Sequence, residues 1–90
     1  MPMKIEFAQY IQDLQFGAEN TSQAEDRSLY TKYLAEAGVI LSSIILGADK
    51  EELEQLVNDH DRLWGQTWLI DPVHDKAAKS YKTFKQVHNF

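Results

Sequence analysis

The placement of glycine constrains this chain more than any other feature. Only four glycines occur in 90 residues, and Gly17, Gly47 and Gly65 each follow a stretch in which apolar residues recur every three or four positions. A glycine there suits the left-handed conformation that commonly ends a helix. In the first segment Met3, Phe7, Tyr10, Ile11 and Leu14 fall within about 100° of helical arc. A polar loop follows, and Ser22 with Glu25 three residues later has capping-box spacing. The second helix is expected from about Gln23 to Leu46, closed by Gly47. Asp49 with Glu52 repeats the cap and opens a third helix to about Trp64, closed by Gly65. Asp71-Pro72 then starts a fourth helix, because proline at the first helical position gives up an N–H that would have no partner anyway. That helix can run to about His88. Residues 65–70, GQTWLI, have no helical logic and read as a loop held down by Trp68, Leu69 and Ile70. The expected fold is all-α: one domain over residues 1–90, a compact four-helix bundle with a long, largely buried second helix.

The second helix changes character along its length. Its first half is amphipathic, with Glu25, Asp26, Arg27, Lys32 and Glu36 set away from Leu29, Tyr30, Tyr33, Leu34 and Ala37. From Ala37 to Ala48 it carries no charge on any side. The back of that half presents Gly38, Val39, Ser42 and Leu46. A helix apolar or small all round is normally buried all round, and three short neighbours are few to enclose it. Gly38, Val39, Ser42 and Leu46, together with Trp68, are therefore the candidate interface, within this chain or with a second copy.

Several function classes are excluded by what the sequence lacks. There is no cysteine, which removes disulfide scaffolds, thiol catalysis and cysteine-based zinc sites. No glycine-rich phosphate loop, nucleophile elbow or paired Glu-x-x-His is present, so no catalytic residue and no cofactor or metal ligand set is assigned. The most apolar run, Ala37 to Leu46, is about half the length a membrane span needs. The N-terminal MPMKIEFAQY has no apolar core or cleavage site of a secretory signal, and a cytoplasmic location is the expectation.

His60 lies in the middle of the third helix's apolar arc, between Leu53, Leu56, Val57, Leu63 and Trp64. A buried imidazole must find a hydrogen-bond partner, and a core histidine bonded to a tyrosine or a carbonyl is the favoured reading. The sharper one makes it a metal ligand or catalytic group, with His74, Asp71 or Asp75 beside it. Charge is uneven as well. Residues 1–75 hold all 14 acids and five bases, for −9, whereas residues 76–90 hold four lysines and no acid, for +4. Asp49, Glu51, Glu52, Glu54, Asp59 and Asp61 crowd the third helix, which would repel nucleic acid if it served as a recognition helix. Lys76, Lys79, Lys82 and Lys85 form a stripe on the fourth, expected to face water and to offer a charged partner surface.

The function expected from these features is a non-catalytic protein–protein interaction module, an accessory or regulatory subunit that self-associates through its second helix or works on a protein partner. The alternative is an acidic antagonist, immunity-type or nucleic-acid-mimicking, of another macromolecule. A small metal-binding or enzymatic protein built on His60 is the third reading.

Overall fold

A computed structural model describes residues 2–22, 24–66 and 74–90. It contains four helices: α1 Pro2–Asn20, α2 Ala24–Ile45, α3 Lys50–Gln66 and α4 His74–Val87. Each runs antiparallel to the one before it. Gly17 of α1 lies against Tyr30 of α2, Tyr33 and Glu36 of α2 meet Trp64 and His60 of α3, and Val57 of α3 meets Tyr81 of α4. Glu6 and Asp13 of α1 meet His88 and Ser80 on the other side and close the ring. The result is an up-down-up-down four-helix bundle of 38 × 22 × 20 Å, and among the described residues there is no strand. No described helix is long and apolar enough to cross a membrane.

The periodicity found in the sequence supplies the core. Phe7, Tyr10 and Leu14 of α1, Tyr30, Tyr33, Ala37 and Ile40 of α2, Val57 of α3, and Ala77, Tyr81 and Phe84 of α4 form one buried cluster. Rings dominate it: Phe84 packs edge-on against Phe7 at 4.8 Å, and Tyr81 lies 4.8 Å from Tyr10. Such ring pairs add specific geometry to the area they bury.

Two of the three glycine stops take another form. Gly47 is a true helix end: its φ is 82°, its N–H reaches the carbonyl of Ile44, and the N–H of Ala48 reaches that of Ser43. This is the Schellman arrangement. The Asp49 cap also forms, its carboxylate accepting the Glu52 N–H at 2.9 Å. Gly17 ends nothing. It sits inside α1, where a Cβ would lie 2.5 Å from the ring of Tyr30, so its function is to let two helices approach. Gly65 likewise lies within α3, one residue before its end. The proposed cap at Ser22 adjoins Gln23, and the start at Asp71-Pro72 and the apolar triplet Trp68, Leu69 and Ile70 are further on; all of these except Ser22 lie outside the described residues.

α2 is the longest helix, at 22 residues, and its burial is one-sided. The inward row is Asp26, Tyr30, Tyr33, Ala37 and Ile40. Beyond Ile40 the neighbouring helices no longer surround it, and the charge-free half is uncovered on its back. That corrects the expectation of burial all round for this half. Three partners in a bundle cover an inward arc, and none of them reaches the outside of α2.

Candidate functional site

The outer surface of α2 follows from helix geometry. Gly38, Val39, Ser42 and Leu46 lie on the side opposite the buried row, at successive three- and four-residue steps. Val39 is 54% and Leu46 85% exposed, and Ile45 beside them is 60% exposed. Ser42 is exposed and Gly38 partly so, while a Cβ built at Gly38 meets nothing within 4 Å. Four of the five candidate interface residues thus share one open surface. Trp68, the fifth, lies outside the described residues. Aliphatic side chains grouped in water without any charge between them differ from the scattered apolar exposure of an ordinary surface.

The centre of the bundle is the opposite case. α3 places Leu53, Val57, His60 and Trp64 on its inward side, and His60 is completely buried. Its Nε2 is 2.5 Å from the hydroxyl of Tyr10 on α1, and its Nδ1 is 2.8 Å from Oε1 of Glu36 on α2. A carboxylate only accepts, so Nδ1 carries the hydrogen and Nε2 accepts from Tyr10. The same Tyr10 oxygen accepts the indole N–H of Trp64 at 2.9 Å. The bonds run in one direction, from Trp64 to Tyr10 to His60 to Glu36. Rings of Tyr10, Tyr33 and Tyr81 surround the imidazole with centroids 5.2 to 6.0 Å away. Burial lowers the pKa of His60; the bond to Glu36 and the charge of Asp61 oppose that shift without cancelling it. Burial likewise raises the phenol of Tyr10 far above its ordinary value.

Carboxylate, imidazole and hydroxyl in that order can activate a nucleophile. Here the hydroxyl end is sealed. Tyr10 has no exposed surface, Trp64 occupies its oxygen, and its phenol stays protonated. Nor is His60 placed as a metal ligand, because both ring nitrogens are engaged within the protein. Among the described residues no group of three His, Asp or Glu side chains could hold an ion; Asp71 and the side chains of His74 and Asp75 lie outside them. The tyrosine-bonded core histidine is the arrangement found, with Glu36 an addition that sequence periodicity had assigned to the solvent side.

Charged residues divide between surface and structure. Glu51, Glu52, Glu54 and Asp59 of α3 are exposed, and Asp59 faces Arg62 at 3.7 Å. Asp61 turns the other way, accepting from the Tyr81 hydroxyl at 2.7 Å and pairing with Lys85 at 2.8 Å. Burial, then the bond to Asp61 and its negative charge, raise the Tyr81 phenol far above its usual range. Lys76, Lys79 and Lys82 are exposed as expected, Lys76 lying 5.0 Å over the ring of Phe16. Lys85 corrects the expectation of a uniform water-facing stripe: its side chain is only 29% exposed and its ammonium sits 5.4 Å from the Tyr81 ring. The stripe sweeps around α4, and its last member reaches the side that faces α3.

Comparison with protein-family models, with characterised proteins and with solved structures found no match to this chain.

Proposed function

We propose that this protein is a non-catalytic protein–protein interaction module, an accessory or regulatory subunit that self-associates through the outer surface of α2. The observation that carries the reading is the uncharged, uncovered surface of Gly38, Val39, Ser42 and Leu46, flanked by Ile45. Burying aliphatic surface of this kind favours association. Gly38 and Ser42 let a partner backbone come close, and an isologous contact needs only a surface complementary to itself. Charge argues for the same place. Each copy carries −5, so two copies meet with least repulsion where neither presents a carboxylate. The core supports the non-catalytic part of the reading, since its one relay of polar groups has no access to a substrate.

The alternative, an acidic antagonist, would draw on Glu51, Glu52, Glu54 and Asp59. They are spread around the outward side of α3, Asp59 is shared with Arg62, and Asp61 is committed to Tyr81 and Lys85. That reading has the weaker support.

Sedimentation velocity over a concentration series tests the proposal. The wild type should dimerise within the micromolar range, and Gly38→Arg should be monomeric with an unchanged melting temperature, because position 38 opens to solvent. A wild type that stays monomeric at high micromolar concentration overturns the self-association.

A further inference from the structure

α3 and α4 are neighbours in the bundle whose backbones stay apart: among the described residues no Cα of one lies within 8 Å of a Cα of the other. Side chains bridge the seam. The Tyr81 hydroxyl is 2.7 Å from Asp61 Oδ1 and 3.1 Å from the carbonyl oxygen of Val57. Beside this strut lies a cleft of about 300 Å³ lined by Tyr81, Lys82, Lys85, Gln86 and Phe90. That volume is at the lower end of the ~300–1,000 Å³ of small-molecule sites, which often lie between bundle helices.

The cleft has a definite chemistry. Tyr81, Phe84 and Phe90 have nearly parallel ring planes, tilted 19° and 20° between successive rings. The Tyr81 hydroxyl and the Lys85 ammonium are both held by Asp61, and Phe90 is held by its N–H bond to the Lys85 carbonyl at 2.8 Å. The walls are therefore set before any ligand arrives, which reduces the ordering cost of binding. Lys82 is exposed and makes no ion pair with a described residue. Two ammonium groups against the one carboxylate of Asp61 leave a single uncompensated positive charge.

We propose that this cleft binds a small aromatic monocarboxylate, with its ring flat against Tyr81 and Phe90 and its carboxylate at Lys82 and Lys85. A neutral aromatic molecule would leave the charge of Lys82 unanswered. An aliphatic acid would lose the stacking, and a dianion would bring a second negative charge towards Asp61. The site shares no residue with the outer surface of α2, so it stands or falls independently of self-association.

The test is a nitrogen-15 NMR titration of the full chain with 2-naphthoate, alongside 2-naphthamide and 1-naphthyl phosphate. Naphthoate should give saturable shifts confined to residues 81–90, Lys50 and Asp61. Lys82→Gln and the uncharged amide should each weaken binding about three- to fivefold, the scale of one exposed charge pair. Lys79→Gln removes the same charge outside the cleft and should change the affinity much less. Naphthamide binding as well as naphthoate, an unaffected Lys82→Gln, tighter binding of the phosphate, shifts centred on Val39 and Leu46, or failure to saturate would each overturn the assignment.

Discussion

His60 and the outer surface of α2 invert the usual rule in opposite directions. One is a polar group at the centre of an apolar core, and the other is a set of apolar groups in water. The polar inversion is fully compensated within the chain, since each ring nitrogen of His60 has a partner at hydrogen-bond distance. The apolar one has no compensation among the described residues. A buried polar group costs free energy only when it is unsatisfied, so His60 needs no function beyond its place in the fold. Exposed aliphatic surface is compensated only when something covers it. The difference teaches where to look: the chemically conspicuous residue is structural, and the chemically plain surface is the candidate for work.

That comparison breaks most readily at its buried end. Tyr10→Phe keeps the ring but leaves the Nε2 of His60 and the indole N–H of Trp64 without their partner. At about 1–3 kcal/mol for each orphaned group, urea denaturation should show a loss of about 2–5 kcal/mol. A loss below ~1 kcal/mol would mean that the relay contributes little to holding the bundle together.

Two glycines in helix interiors sharpen it next, because the same substitution should have opposite signs. Gly17→Ala drives a Cβ into the wholly buried ring of Tyr30 and should destabilise by about 1–3 kcal/mol. Gly38→Ala meets open space and should stabilise by up to about 1 kcal/mol through helix propensity alone. Thermal melts of the two variants against the wild type, at a concentration where it is monomeric, read the difference directly.

The pH dependence probes the core more gently. The folded protein holds the pKa of His60 below the ordinary 6.5, so below that pH the unfolded chain binds the extra proton and the folded one resists it. Stability from this group is therefore complete above about pH 6.5 and declines as pH falls towards the folded-state pKa, by at most ~1.4 kcal/mol per pH unit. Urea midpoints measured between pH 7.5 and 5.5 should fall in that direction, with a shallower fall in His60→Gln. An identical pH profile in the two proteins would contradict it.

The smallest effects belong to the lysines. Lys79→Gln should change stability by less than ~0.5 kcal/mol, as surface substitutions usually do. Lys85→Gln should cost somewhat more, up to about 1 kcal/mol, since its pair with Asp61 is only partly exposed. Paired melts decide between them, and equal values would return Lys85 to the solvent-facing stripe.

Local rules and tertiary geometry divided the rest of the molecule between them. The sequence by itself determined the four helices, the Gly47 stop and the Asp49 cap, because periodicity and capping act within a few residues and are written in consecutive positions. It also marked the uncharged back of α2 and the inward placement of His60. Only the tertiary structure decided which helix back stays uncovered, since that depends on how three neighbours arrange around α2. It turned Gly17 from a helix stop into a point of close approach, because Tyr30 is thirteen residues away in sequence and packs directly against it in space. It drew Glu36 from the polar side of α2 to the Nδ1 of His60, and Lys85 from the solvent stripe to Asp61. In each case the deciding partner stands on another helix, and a helical period records which way a side chain points without recording what it meets.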